Sequence, residues 1–197
     1  MNADFATLMQ RVVFAPLGLR NTFLNVPADQ LSRYAQGYTD AGTPRRMEPG
    51  PLAAEAYGIR TTASDVLHFV DANMNLVDLD ETLRRAIVNT HTGYYRIGAM
   101  TQDLIWEQVR YPVSLPGLLE ANSDRMLSEE NAAAKIEPPS PPKNDVVLNK
   151  TGSTSGFAAY VAFIPQQKTG VVVLANKSYP IAARVAAAYQ ILTRLKR

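Results

Sequence analysis

The sequence predicts an α+β fold in which helices and loops lead into an antiparallel sheet covered by a C-terminal helix. Three observations predict it. Apolar residues recur at helical spacing in the first ninety positions, three β-rich runs joined by turn signals lie between Val146 and Ala175, and an amphipathic run follows Pro180.

Phe5, Leu8, Met9 and Val12 stand three or four residues apart and predict a helix from Phe5 to Phe14. Asn2 or Asp4 is its candidate N-cap, and Pro16-Leu17-Gly18 ends it. Asn21 to Pro51 is polar, rich in Gly and Pro, and reads as an extended surface connection. Thr62-Ala63-Ser64-Asp65 has the form of a capping box, and Val66, Phe69, Val70 and Met74 follow at helical spacing. A third helix is predicted from Asp80 to Thr90, with Leu83, Ala86 and Ile87 facing inward. Tyr94 to Val109, aromatic and β-branched around Trp106, predicts one or two short strands. Glu137-Pro138-Pro139-Ser140-Pro141-Pro142-Lys143 lacks the donors for a regular ladder and reads as a polyproline-like loop.

Beyond it the signal sharpens. Val146–Asn149, Phe157–Ile164 and Val171–Ala175 read as strands, with Pro165 to Gly170 as a turn. Ala182 to Leu195 reads as a helix with Val185, Ala188 and Leu192 on one face and Pro180 before its first turn. Residues 1–145 are thus mainly helix and loop, and 146–197 form terminal strands and a helix.

The apolar fraction of 46% and charged fraction of 19% are those of an ordinary globular chain. A formal charge of +2 gives no reason to expect a nucleic-acid or acidic-membrane partner. The basic tail Arg194, Leu195, Lys196, Arg197 sits where cations offset a helix dipole. With no cysteine, disulfides and thiolate metal sites are excluded. His68 and His91 lie in separate segments without metal-ligand spacing and read as surface or half-buried helical histidines, so no metal is expected. No apolar run is long enough to span a bilayer. Met1 to Phe5 lacks a basic region followed by an apolar one, so no signal peptide is expected in this chain.

The chemistry concentrates in Lys150-Thr151-Gly152-Ser153-Thr154-Ser155-Gly156, which ends one strand and enters another. An ammonium beside a hydroxyl can bind a carboxylate through charge and a directed hydrogen bond. Gly152 removes a side chain, so a substrate can lie along the strand edge, and the next backbone N–H can meet a developing oxyanion. Alone, Lys-Thr-Gly reads more readily as a polar strand end with a turn glycine.

The run Leu148 to Phe157, then Tyr160-Val161-Ala162-Phe163-Ile164-Pro165, then Leu174-Ala175-Asn176-Lys177-Ser178-Tyr179-Pro180 resembles the C-terminal core of class C serine β-lactamases. Ala54-Glu55-Ala56-Tyr57-Gly58 and Tyr34-Ala35-Gln36-Gly37-Tyr38 resemble two further markers of that family, in the same order. The resemblance runs from about Phe5 to the C-terminus. It implies the C-terminal portion of one β-lactamase/transpeptidase-like domain, whose complete form hydrolyses β-lactams through an acyl-serine, without metal or organic cofactor.

Carried over by position, Lys150 would add positive potential at the acylation site and Thr151 would bind the β-lactam carboxylate. The Ser153 N–H would form half of the oxyanion hole, and Tyr57 would line the pocket for the substrate side chain. Arg184 and Ser178 would stand near the carboxylate, and Leu118 to Lys135 would border the far side of the cleft. Two departures touch these contacts: Asp103 and Ile105 replace turn glycines, and Ser178 and Ile181 stand where asparagine is frequent.

The family's Ser-x-x-Lys and Tyr-x-Asn elements precede the region matched here, and without them there is no nucleophile. The string Ser140-Pro141-Pro142-Lys143 cannot serve, because three polyproline residues span about 9 Å rather than one helical turn. Tyr94 and Tyr95 lack the asparagine two places on. The resemblance therefore implies a fragment that is inactive alone. It would take a β-lactam as ligand and a complementing N-terminal half, or a second copy, as partner. The full-length family is periplasmic. A related penicillin-binding peptidase or esterase, or a non-catalytic remnant, is the alternative.

Overall fold

In the computed structural model, which describes residues 3–46 and 48–195, Asp4 opens the first helix. Its carboxylate accepts from the Thr7 amide at 3.1 Å and the Thr7 hydroxyl at 2.7 Å. Helix α1 (Phe5–Met9) then widens into a π-helical turn over Gln10–Phe14. The wider turn shifts the phase of the apolar face, so Phe14 is buried and Val12 is exposed, contrary to the 3.6-residue expectation. Asn2, Lys196 and Arg197 lie outside the described residues.

The segment read as an extended connection carries more structure than its composition suggested. It holds a 3-10 turn at Ala28–Arg33 and a two-stranded ribbon, β1 (Gly37–Tyr38) with β2 (Pro44–Arg45). A short helix, α2 (Ala53–Tyr57), follows Leu52 in left-handed backbone. Thr62 caps α3 (Ala63–Asn73) by accepting from Asp65 N. The Asp65 carboxylate does not complete the capping box. It is buried and accepts instead from Asn21 N at 2.8 Å and Thr22 Oγ1 at 2.7 Å. Asp80 caps α4 (Glu81–Asn89); Ile87 is buried, while Ala86, expected inward, is exposed.

Strands β3 (Gly93–Ile97), β4 (Met100–Gln102) and β5 (Glu107–Arg110) replace the one or two expected in that region. Helices α5 (Leu115–Ala121) and α6 (Asp124–Ser128) follow. The proline-rich segment belongs to an edge strand, β6 (Ala134–Ser140), rather than to a free loop. Its pairing with β3 shifts register between Lys135 and Ser140, and Pro138 and Pro139 fall within the shift. An outermost strand tolerates residues that cannot donate to a ladder.

The chain ends in β7 (Val146–Thr154), β8 (Phe157–Ile164), β9 (Thr169–Ala175) and α7 (Ile181–Arg194). The seven-stranded antiparallel sheet runs β6-β3-β4-β5-β7-β8-β9, so four of its strands come from before residue 145. Alternation splits the terminal strands between two faces. Val147, Tyr160, Ala162, Ile164 and Val171 pack with Val185, Ala188 and Leu192 of α7 and with Leu118 and Ala121 of α5. On the opposite face Val146, Leu148 and Phe163 pack with Trp106 and with Val70 and Met74 of α3. Helix α3 crosses β9 at Gly170, where an added Cβ would lie 2.6 Å from Val70 Cγ1. A third cluster, Phe14, Leu17, Leu24 and Ile87 among it, ties α1 and α4 to this body.

His91 is neither superficial nor helical: it follows α4, is buried, contacts Asn73 Oδ1 at 2.9 Å and packs against Trp106 and Phe163. Burial depresses its pKa to about 4. No helix among the described residues is long and apolar enough to cross a membrane.

Candidate active site

Strand β7 is longer than its apolar run and carries the whole Lys-Thr-Gly-Ser-Thr sequence within the sheet. On one side, β8 pairs with it from Leu148 to Thr154. On the other, β5 pairs with it only from Val146 to Asn149. Among the described residues, Lys150 to Thr154 therefore has a strand neighbour on one side alone, leaving the other edge available to a ligand. The hairpin beyond it turns on Ser155-Gly156, where Gly156 takes φ +96.

Buried groups fix this stretch from below. Asn149, fully buried, donates to Glu107 O at 2.7 Å and accepts from Tyr160 Oη at 3.1 Å. Lys150 Nζ donates to Glu107 Oε1 at 2.6 Å, so the ammonium at the site is paired with a carboxylate on β5. Sequence reasoning passed over Glu107, because only the β5–β7 register brings it beside Lys150.

Arg184 lies behind the strand rather than in the open. At 1% exposure its guanidinium donates to Gly152 O at 2.7 Å, Ala159 O at 2.5 Å and Ser153 Oγ at 2.9 Å. Its Nε has no hydrogen-bond partner among the described residues, and desolvation lowers its pKa. It thus clamps β7 to β8 at the glycine. Gly152 itself is not demanded by the backbone: an added Cβ would meet only Ala159 Cβ at 3.8 Å. What its missing side chain leaves open is the ligand side of the strand.

A cavity of about 700 Å³ opens at Gly152, Ser153 and Thr154 and extends to Tyr57, Tyr34 and Arg60. Two local features build its far wall. The segments around residues 23 and 60 bridge through paired amide–carbonyl bonds of 2.8 Å between Phe23 and Arg60. Tyr38 joins the end of the sheet, its amide donating to Asn176 O at 2.9 Å and its carbonyl accepting from Ser178 N at 2.8 Å. Gly37 permits that docking, since a Cβ there would lie 2.4 Å from the Phe157 ring and 2.7 Å from two carbonyl oxygens.

The cavity therefore unites Tyr57, Gly152 and Ser153. Lys150 and Thr151 are half-buried on the adjoining strand, and Ser178 is half-buried where the chain leaves β9. None of residues 118–135 lines the cavity; α5 in that stretch packs beneath α7 instead. Of the replaced turn glycines, Ile105 is exposed, whereas Asp103 is buried and accepts from Gln108 Nε2. Burial raises the Asp103 carboxyl to about 7. No cluster of three or more metal-ligating side chains occurs among the described residues.

An open strand edge bearing Lys150-Thr151-Gly152-Ser153 is thus set in an antiparallel sheet with helices on both faces. The Beta-lactamase family profile matches residues 2–196, and the chain belongs to that family, on its class C branch. A β-lactamase of Pseudomonas fluorescens is 49% identical over 195 residues, covering 99% of this chain and 54% of the relative. The structure of a D-alanine carboxypeptidase AmpC from Burkholderia cenocepacia superposes with a TM-score of 0.95 at 53% identity, covering 98% of this chain and 56% of that one. A class C β-lactamase in complex with cefoxitin superposes with a TM-score of 0.93 at 45% identity, covering 98% and 54%. The chain spans about half the length of the relatives it matches.

Proposed function

We propose that this chain supplies the substrate-binding wall of a class C β-lactamase whose nucleophile lies outside these 197 residues. The observation that carries the reading is the open edge of β7 from Lys150 to Thr154, meeting the cavity at Gly152. Thr151 binds the substrate carboxylate, Lys150 adds positive charge, the Ser153 N–H receives the carbonyl oxygen, and Tyr57 flanks the substrate side chain. In the whole enzyme a serine attacks the lactam carbonyl, the ring C–N bond breaks with its nitrogen taking a proton, and water releases the acyl group.

The partner is the half that carries the serine. Strand β9 is the outer strand of the sheet, and its outer edge is unpaired among the described residues. An extended segment can add there by main-chain pairing. Family membership supports a periplasmic site of action for the whole protein.

Coexpression with a β-lactamase N-terminal half tests the reading. The mixture should hydrolyse nitrocefin, and Lys150→Ala should lower its rate by about 100-fold, as for removal of one preorganised electrostatic group. Turnover unaffected by Lys150→Ala counts against the assignment. The carboxypeptidase named among the structural neighbours supports a second reading, cleavage of a D-alanyl peptide. Turnover of D-alanyl-D-alanine by the same mixture, with none of nitrocefin, would establish it.

A further inference from the structure

The far wall of the cavity carries an unbalanced charge. The Tyr34 ring stacks on Phe157 with centroids 6.4 Å apart, and the Arg46 guanidinium lies over it, 4.5 Å from its centroid. Arg60 Nε donates to Tyr34 Oη at 3.4 Å, and Arg33 lines the cavity beside it. Each of the three arginines bonds only uncharged acceptors. Arg46 donates to Tyr34 O, Arg60 to Leu24 O and Gly58 O, and Arg33 to Asn21 Oδ1 and Gln30 Oε1. Among the described residues no carboxylate oxygen lies within ion-pairing distance of any of them. The acidic side chains nearby pair with no arginine: Asp29 accepts from Gln30, Asp65 from Asn21 and Thr22, and Glu55 and Glu48 are exposed.

We infer that the cluster of Arg33, Arg46 and Arg60 around Tyr34 is a binding site for an aryl group bearing an anionic substituent. On the substrate-binding reading above, it selects β-lactams whose side chain carries a carboxylate. Tyr57, exposed and lining the same cavity, offers a ring for the arene. Guanidinium groups hold carboxylates through two parallel hydrogen bonds, and three of them without an acidic partner leave donors unspent. Arg33 and Arg60 line the cavity together with Gly152 and Ser153, and Arg46, held on Tyr34, lines a second one. A ligand whose carbonyl rests at Ser153 therefore shares one cavity with two of these arginines.

The test is titration calorimetry on the 197-residue chain with two pairs of probes. Phenylmalonate against phenylacetate reads the arginine cluster alone, and carbenicillin against benzylpenicillin reads it in a β-lactam. Phenylmalonate should bind about tenfold more tightly at low salt, the preference shrinking as salt screens exposed charges. Arg33→Gln with Arg46→Gln should abolish that preference, while Arg110→Gln, at an exposed arginine on β5, should leave it intact. Equal affinity for the two acids, no saturable phenylmalonate binding, or a preference unchanged by the double variant overturns the inference. If phenylmalonate is preferred but neither penicillin binds, the anion site stands and the β-lactam reading falls. Equal binding of the two penicillins supports that reading and overturns this one.

Discussion

Replacing Arg184 with methionine isolates what the buried guanidinium does, because the apolar stem is kept and the charge removed. Three acceptors lose their donor: Gly152 O, Ala159 O and Ser153 Oγ. An acceptor left unsatisfied on burial costs about 1–3 kcal/mol, but Ser153 is exposed and water can replace that bond. Removing a cation that has no buried counter-ion returns part of the loss. The balance is a destabilisation of about 2–3 kcal/mol, or a fall in Tm of roughly 4–12 °C for a chain of this size. Urea denaturation followed by circular dichroism measures it, with an unchanged m-value showing that the unfolding unit is the same. A loss below about 0.5 kcal/mol, the range of ordinary surface substitutions, would refute the view that Arg184 clamps β7 to β8.

Other outcomes follow from the same structure. Asp103, raised to about 7, keeps its proton in the folded chain over a range where the unfolded carboxyl has lost it, so stability falls as pH rises from about 4 to 7. His91, lowered to about 4, stays neutral when folded while the unfolded imidazole protonates, so stability rises from about pH 4 to 6.5. The slopes oppose one another: Asp103→Asn should expose a rising profile and His91→Gln a falling one in pH-dependent urea midpoints, and parallel profiles in both variants would contradict the two assignments. Gly152→Ala should leave the melting temperature unchanged, since its Cβ meets only Ala159 at 3.8 Å, yet weaken penicillin binding measured by calorimetry. Gly37→Ala should do the reverse at the level of the fold, lowering Tm as the new methyl meets the Phe157 ring and two carbonyl groups.

Local signals determined what could be read from the sequence. Strand β8 is legible at both ends because Phe157 to Ile164 is rich in aromatic and β-branched residues and bounded by Gly156 and Pro165. Helix α7 and its Val185, Ala188 and Leu192 face came from simple periodicity. Lys150 to Thr154 reads as polar and aperiodic, and becomes strand only because β8 pairs with it through Thr154. The prolines of β6 argue against a strand until β3 supplies a partner and an edge position. Arg184 is a charge on the apolar face of a helix, and no local rule anticipates that three sheet acceptors will bury it. The arginine cluster escaped notice for a similar reason. Arg46 and Arg60 meet at Tyr34 only because its ring stacks on Phe157 and Phe23 bridges to Arg60.

On the proposed function, these residues form a binding wall without the group that attacks the ring. Steady-state nitrocefin hydrolysis by the purified 197-residue chain tests it most directly. The rate should be indistinguishable from buffer at every substrate concentration. Saturable turnover that copurifies with the chain and disappears on substitution of one of its own serines, Ser153 or Ser140, would contradict it.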